Sequence, residues 1–165
     1  MMEVTITGLE DTLRAMKALP KIIVARGYVK ALSRGIGVIR YALNAETPVL
    51  KSDLFTAAAK GQKHPGDLKR ALTTEVTLDS QFRGGTAEAG YSGHQGKIAL
   101  WVEYGHRIVI PGGRYVDSRG KSRKGTVIGQ VPAHAFMRRA YDASAAEAVD
   151  AVAESLAQTV KEYQP

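Results

Sequence analysis

The four histidines are the first candidates for chemistry, because imidazole serves both as a general base and as a metal ligand. They stand at His64, His94, His106 and His134. No two of them have the i, i+4 spacing that places two metal ligands on one face of a helix. The chain has no cysteine, which excludes disulfides, thiolate metal sites and thiol nucleophiles. We interpret the histidines as scattered loop residues and expect no metal site.

Glu103 is the carboxylate whose sequence surroundings are closest to those of a general acid. It lies near Trp101 and beside Tyr104, and burial among aromatic rings favours the protonated form of a carboxyl group. No second carboxylate or base stands at a recognisable spacing, so a structural salt bridge is the stronger interpretation. The motifs Gly-x-Ser-x-Gly and Gly-x-x-x-x-Gly-Lys-Ser/Thr are both missing. We predict no catalytic residues, no cofactor and no enzyme activity.

Charge is divided unevenly along the chain, whose formal net charge is +7. From His106 to Gln130 six basic residues stand against one acid, whereas Tyr141 to Tyr163 carries five acids against one lysine. The basic residues are Arg107, Arg114, Arg119, Lys121, Arg123 and Lys124, and the acids include Glu147, Asp150 and Glu154. The basic segment is interpretable as a solvated loop, as a contact with an acidic neighbouring subunit, or as a contact with DNA in a channel.

The length of 165 residues is enough for one domain with a hydrophobic core. Hydrophobic residues make up 44% of the chain and charged residues 24%, which is close to ordinary globular usage. No apolar run approaches the roughly 18 residues of a membrane span, and the first residues form no secretory leader. We expect a cytoplasmic product with no membrane partner and a single domain over 1–165, including an irregular excursion at 50–65.

Apolar periodicity predicts a long helix from Lys21 to Ala45. Apolar residues recur there at alternating spacings of three and four, which lines one face of a helix, and Thr47-Pro48 ends it. The predicted buried stripe is Ile22, Ala25, Val29, Leu32, Ile36, Ile39 and Leu43. The helix also contains Gly27, Gly35 and Gly37, each costing about 1 kcal/mol relative to alanine. Such glycines suggest either that another backbone approaches closely or that selection for local stability is weak.

The remaining elements complete an α+β prediction. A strand at Val4–Thr7 leads to a short helix at Leu9–Ala18, and a short turn or helix is expected at Gly66–Leu72. Thr73–Leu78 and Thr86–Tyr91 are expected to form an antiparallel hairpin, and Ile98–Tyr104 is expected to be a buried apolar segment, either strand or helix. An extended basic hairpin is expected at 107–131 and a last helix at Ala135–Tyr163. The predicted buried stripe of that helix is Phe136, Ala140, Val149, Val152, Leu156 and Val160. We predict a small antiparallel sheet packed against the two long helices.

Three segments follow one another in an order that resembles a known family. The first begins with Ile6–Asp11, continues to the break at Leu19-Pro20, and includes the long helix that ends at Thr47-Pro48. Gly66–Leu72 follows, with the pattern glycine, polar, leucine, basic, basic, small, apolar. The second is Ala99–His106, an apolar-Glu-aromatic-Gly run. The third is Val131–Tyr141, a proline and phenylalanine entry into the last helix. Together they are similar to the head–tail joining, or tail-completion, family of long-tailed bacteriophages, often called minor tail components.

This chain departs from the family pattern at three positions and at two insertions. His106 stands where threonine is usual, and Ala135 and Arg139 replace prolines. Leu50–Pro65 and Gly112–Gly125 resemble insertions. The resemblance implies scaffold roles for Trp101, Glu103, Tyr104, Gly105, Pro132 and Phe136. Gly105 would supply a positive φ, Glu103 would cap or pair with a basic group, and Phe136 with Met137 would seat the last helix against the sheet.

The function implied by the resemblance is structural. The family forms a homo-oligomeric ring, with six copies expected, in the virion neck between a head-completion or connector protein and the tail terminator or tail tube. The basic hairpin would then reach acids such as Glu147, Asp150 or Glu154 of a neighbouring copy, with a passing contact to genomic DNA. The alternative is a non-specific DNA-binding protein that uses the basic 107–124 arm. A small hydrolase that depends on Glu103 or His106 is a third hypothesis.

Overall fold

The computed structural model describes residues 9–17, 19–49, 65–81, 84–117 and 119–163. Its helices and strands follow in the order α1 (Leu9–Lys17), α2 (Lys21–Glu46), α3 (Asp67–Arg70), β1 (Leu72–Leu78), β2 (Gly85–Tyr91), α4 (Gly93–Tyr104), β3 (His106–Val116), β4 (Ser122–Val131) and α5 (Phe136–Tyr163). The strand predicted at Val4–Thr7, and the predicted excursion at 50–65 apart from Pro65, lie outside the described residues. The fold is α+β, as the sequence predicts.

The two long helices α2 and α5 pack against each other in antiparallel directions. A Cβ atom added to Gly27 would lie 2.8 Å from Cγ2 of Thr159, and one added to Gly35 would lie 2.5 Å from Cγ2 of Val152. At Gly35 the backbone of α5 also approaches closely, as predicted, whereas the atoms nearest to Gly27 belong to side chains. Gly37 behaves differently, because nothing lies within 4 Å of a Cβ atom placed there.

The buried face of α2 is only partly the predicted stripe. Ile36 and Leu43 are buried, but Ile22 is 63% exposed and Val29 is 44% exposed. Small residues take three of the five buried positions of the helix: Gly27, Ala31 and Gly35. The prediction was wrong there because it ranked residues by hydrophobicity, whereas the close contact with α5 selects residues that are small.

The buried face of α5 shows the same preference. Phe136, Ala140, Leu156 and Val160 are buried as predicted, while Val149 and Val152 are only partly buried. Four small residues complete the buried face, namely Ser144, Ala148, Ser155 and Thr159. The hydroxyl groups of Ser144 and Thr159 donate to the carbonyl oxygens four residues earlier, at 2.7 and 3.0 Å. These bonds let polar residues occupy a dry helix interface.

The strands form two separate antiparallel hairpins. Strands β1 and β2 pair in register from Leu72 opposite Tyr91 to Leu78 opposite Gly85, as predicted. One face of this first sheet packs on α2, and its end at Tyr91 contacts Phe136 and Met137 at the start of α5. Strands β3 and β4 form the second sheet, which corresponds to the predicted basic hairpin.

The apolar segment at Ile98–Tyr104 is helical and forms most of α4. We predicted that it lies in the core, which is wrong for its largest side chains: Leu100 is 52% exposed, Trp101 48% and Tyr104 65%. The buried residues of α4 are Ala99 and Glu103. A helix turns its side chains through all directions, so a short apolar run presents only part of itself to the core.

Candidate interface at the basic hairpin

Glu103 holds the start of α5 in place. It is 4% exposed, and its carboxylate accepts hydrogen bonds from the backbone N–H groups of Met137 at 2.8 Å and Arg138 at 3.3 Å. These amides belong to the first turn of α5, which contains no acid of its own. A carboxylate at this position satisfies amides that have no partner in the helix and interacts favourably with the helix dipole. The predicted salt bridge is therefore replaced by a helix cap, the role implied by the family resemblance.

Gly105 ends α4 and lies under the strand that leads to α5. Its φ is +72°, and an added Cβ atom would lie 2.5 Å from the carbonyl oxygen of Val131 and 3.0 Å from the carbonyl carbon of Pro132. The backbone N–H of Ala135 also donates to the carbonyl oxygen of Glu103 at 3.1 Å. The φ of +72° confirms the positive φ predicted for Gly105. A side chain at this position would also push the two segments apart.

Phe136 closes this junction from the inside. Its ring is fully buried among Leu68, Ala99 and Val102, and meets the ring of Tyr91 edge-on with the centroids 5.8 Å apart. The six residues assigned to structural motifs therefore divide into two groups. Glu103, Gly105, Pro132 and Phe136 meet at the junction of α4 with α5, whereas Trp101 and Tyr104 point away from it.

Trp101 and Tyr104 line an open groove at the base of the basic hairpin. The groove has a volume of about 910 Å³, and its opposite wall comprises residues of β3 and β4 including Arg107, Val109 and Tyr115. The ring of Trp101 lies 5.7 Å from that of His106, which begins β3. Large aromatic side chains that are half exposed beside a strand are common at protein interfaces.

The basic hairpin is longer and more regular than its sequence indicated. We expected strands only at 107–110 and 126–131, but pairing continues outward to Val116 opposite Ser122. The register shifts after Ile108 and again after Ile110. At the second shift, Gly112 and Gly113 have positive φ values of +109° and +64°. The proposed insertion at Gly112–Gly125 thus extends a strand pair that begins at the junction.

Neither face of this hairpin is covered by another part of the described chain. Its apolar side chains are exposed on both faces, with fractional exposures from 37% to 59% at Ile108, Val109, Ile110, Val116, Val127 and Ile128. Apart from the short segments at its base, the hairpin makes no extensive packing contact with the other described elements. An isolated two-stranded hairpin is at best marginally stable in water, and exposed apolar patches are common at interaction sites.

Asp117 organises the tip of the hairpin. Its carboxylate accepts hydrogen bonds from the backbone N–H groups of Arg119 and Lys121, both at 2.9 Å, and from Nε of Arg123 at 3.0 Å. The amide of Lys121, together with the Arg123 side chain, lowers the pKa of Asp117 below its usual range. In the sequence, Asp117 is the one acid among the six basic residues between His106 and Gln130. An aspartate two residues before the first turn amide is the signal that would have identified its role.

The six basic residues of the hairpin differ in their partners. Arg107 donates from Nη1 to the carbonyl oxygen of Val116 at 2.7 Å, and Arg123 is paired with Asp117. Four cations have exposed side chains with no ion pair to a described residue: Arg114, Arg119, Lys121 and Lys124. These four carry the positive charge that the hairpin offers to a partner.

The predicted acidic partners on α5 are also unequal. Glu154 forms an ion pair with Arg34 of α2 at 2.8 Å, so its charge is already compensated within the chain. Glu162 pairs with Lys30 at 3.5 Å in the same way. Glu147 and Asp150 are exposed and form no ion pair with a described residue. Of the acids named from the sequence, these two are the ones available to a neighbouring molecule.

The histidines are distributed differently from the prediction of loop residues. His94 lies in the first turn of α4 and His106 is the first residue of β3, so the prediction was wrong for both. His134 does lie in a loop, and His64 is outside the described residues.

Among the described residues no group of three or more His, Asp or Glu side chains is placed to hold a metal ion. Within the same residues no helix has the length and apolarity to cross a membrane.

Comparison with protein-family models, with curated proteins and with solved structures finds no match to this chain.

Proposed function

We propose that this chain is a structural subunit of a ring at the head–tail joint of a long-tailed phage. The observation that carries the proposal is the β3–β4 hairpin, which exposes apolar side chains on both faces and four cations that form no ion pair with a described residue. A surface of this kind is suited to binding another protein. The resemblance of the sequence to the tail-completion family supplies the identity of the assembly. The ring would comprise six copies in the virion neck.

A closed ring needs two different and complementary faces on each copy, because head-to-tail contacts close by rotation. The hairpin is one such face. An acidic surface of the next copy is its counterpart, and the sequence suggests Glu147 and Asp150 of α5 for it. Above and below the ring, the head-completion or connector protein and the tail terminator or tube would bind the remaining surfaces. Genomic DNA would pass through the central channel.

Charge reversal in the hairpin tests the self-assembly. We expect the variant in which Arg119, Lys121, Arg123 and Lys124 are all replaced by Glu to associate more weakly than the wild type, most clearly at low salt. Light scattering coupled to size-exclusion chromatography measures the mass of the particles. The control variant reverses four exposed cations on helices instead, at Lys21, Arg26, Arg40 and Lys97. It has the same net charge, so equal weakening in both variants would reject a specific role for the hairpin.

Electron microscopy tests the ring itself. Purified protein, alone and mixed with isolated tails, should form rings of uniform diameter or cap the tails at one end. A chain that stays monomeric under every condition and leaves the tails unchanged would overturn the proposal.

The second candidate function is non-specific DNA binding by the same hairpin. It is favoured by the exposed cations Arg114, Arg119, Lys121 and Lys124, which could neutralise backbone phosphates. Tyr115 is the only aromatic residue of the basic segment, so stacking on bases has little support. A gel-shift assay with unrelated duplexes distinguishes the two functions. Binding that falls steeply with added salt supports this alternative, and no shift at low salt removes it.

A further inference from the structure

The outer face of the β1–β2 sheet carries two acids directly opposite each other. In the register of this sheet Glu75 pairs with Glu88, and both side chains are exposed. Residues directly opposite in an antiparallel sheet have Cβ atoms about 4.5–5.5 Å apart, and like charges at that distance repel each other. Neither carboxylate forms an ion pair with any described residue. The neighbouring cross-strand positions on the same face are uncharged: Thr73 with Gly90 and Thr77 with Thr86.

The β3–β4 hairpin carries the same arrangement with the opposite charge. Arg114 lies directly opposite Lys124, and both side chains are exposed. These cations are two of the four in the hairpin that have no ion pair within the described residues. The next position on this face, Val116 opposite Ser122, carries no charge. Each hairpin of the protein therefore contains one like-charged cross-strand pair, acidic in the first and basic in the second.

We infer that Arg114 and Lys124 of one copy bind Glu75 and Glu88 of the next copy, so that the basic hairpin lies on the outer face of its neighbour's β1–β2 sheet. This inference rests on the proposed ring and identifies its interface. Both charge pairs have the spacing of opposite residues in a sheet, so two ion pairs form together when the sheets meet face to face. The repulsion within each sheet is relieved at the same time.

Four acids of α5 fit the basic pair less well. Glu154 and Glu162 are occupied by Arg34 and Lys30 of their own chain. Glu147 and Asp150 lie on one helix, three residues apart, and present no flat face to a hairpin. The contact is also heterologous, because it joins the second hairpin of one copy to the first hairpin of another. It therefore meets the requirement of a closed ring.

Carbodiimide coupling tests the contact on the unmodified protein. This reagent joins a lysine amine to a carboxylate only when the two groups touch. A mixture of unlabelled and ¹⁵N-labelled chains, assembled and then coupled, should contain peptides that join Lys124 of one label to Glu75 or Glu88 of the other. Mass spectrometry identifies them. Assembled rings in which Lys124 is coupled only to Glu147 or Asp150 would overturn the inference while leaving the proposed function intact.

A charge exchange provides the second test. The variants Glu75→Lys/Glu88→Lys and Arg114→Glu/Lys124→Glu should each lower the association constant by about tenfold at low salt. Each variant replaces one like-charged pair by another, so the stability of each hairpin should change little. Thermal unfolding followed by circular dichroism checks this. The variant with all four substitutions retains the wild-type formal net charge of +7 and should associate as the wild type does.

The control for the exchange is Glu10→Lys/Asp142→Lys, which replaces two exposed acids on helices and changes the net charge equally. We expect it to associate as the wild type does. Failure of the fourfold variant to recover association, or weakening by the control alone, would overturn the inference. If the wild type itself forms no ring and no coupled dimer, both the inference and the proposed function fail.

Discussion

Both hairpins of this protein are two-stranded antiparallel sheets, but the first packs against α2 and the second is exposed. Strands β1 and β2 place Leu72, Val76 and Leu78 on a face that packs against α2, and leave a polar face outward. Strands β3 and β4 expose apolar residues on both faces, with Val116 58% exposed and Ile128 59% exposed. The first hairpin is stabilised by its own chain. The second has the composition of a buried element, yet no other described element of the chain covers it.

The two hairpins also differ in how they are attached to the core. The first hairpin ends at Tyr91, whose ring packs on Phe136 and whose hydroxyl lies 2.5 Å from Oγ1 of Thr47. The second begins immediately after Gly105, where it crosses the segment that leads into α5. The second hairpin is thus anchored to the core only at one end. Changes in the core and changes in the hairpin should therefore have separate effects on stability and on assembly.

The largest effect is expected from the core. Replacing Phe136 by alanine should lower the free energy of unfolding by about 3–5 kcal/mol, because a fully buried ring leaves a cavity. Tyr104, which is 65% exposed, provides the contrast. Its replacement by alanine should change stability by no more than about 0.5 kcal/mol. Urea denaturation followed by circular dichroism measures both, and similar losses would contradict the division between junction and groove.

Two of the three glycines of α2, Gly35 and Gly37, should respond with opposite signs. Gly35→Ala places a Cβ atom 2.9 Å from the carbonyl oxygen of Ala148, so we expect a loss of about 1–3 kcal/mol. Gly37→Ala meets open space and should stabilise the helix by about 0.4–1 kcal/mol. Thermal unfolding of the two variants compares them directly. A gain in stability from Gly35→Ala would show that α2 and α5 do not approach as closely as described.

Loss of the helix cap should have an intermediate effect. Glu103→Ala leaves the amides of Met137 and Arg138 without their acceptor and should lower the free energy of unfolding by about 1–2 kcal/mol. Hydrogen exchange of these two amides should become faster as well. Glu147→Ala, an exposed position on α5 with no ion pair to a described residue, is the control and should leave stability nearly unchanged. Unaltered exchange at Met137 would argue against the cap.

The smallest effect is confined to the tip of the second hairpin. Asp117→Asn should leave global unfolding unchanged while the amides of Arg119 and Lys121 exchange faster, because their shared acceptor loses its charge. Since the pKa of Asp117 is lowered in the folded chain, its contribution is complete above the unfolded pKa and is lost as the pH falls through the folded value. Hydrogen exchange by NMR across the acidic range measures this. A tip that stays protected below that range would contradict the role of the carboxylate.

The junction shows how far a short motif can be interpreted. The run Ala99–His106 is one of the segments that carry the family resemblance, and the positive φ expected at its Gly105 is confirmed. Its aromatic residues were assigned to the core, yet Trp101 and Tyr104 lie outside it. A turn at glycine depends on local backbone geometry, which the residue type limits. Burial depends on which other segments arrive, and nothing in these eight residues specifies that.

Much about this protein was determined by the sequence alone. The start of α2 at Lys21, its end before Thr47-Pro48, the pairing of β1 with β2 and the uneven charge all follow from periodicity, proline, β-branched residues and composition. These features depend on residues that are close together along the chain. They required no knowledge of the fold.

Only the tertiary structure decided which surfaces meet. It made Gly27 and Gly35 the contact of α2 with α5 and directed Glu103 to a helix 34 residues away. Each of these relations joins residues that are distant along the chain. Close packing and cross-strand register select such partners by shape and spacing, which the order of hydrophobic and polar residues does not record.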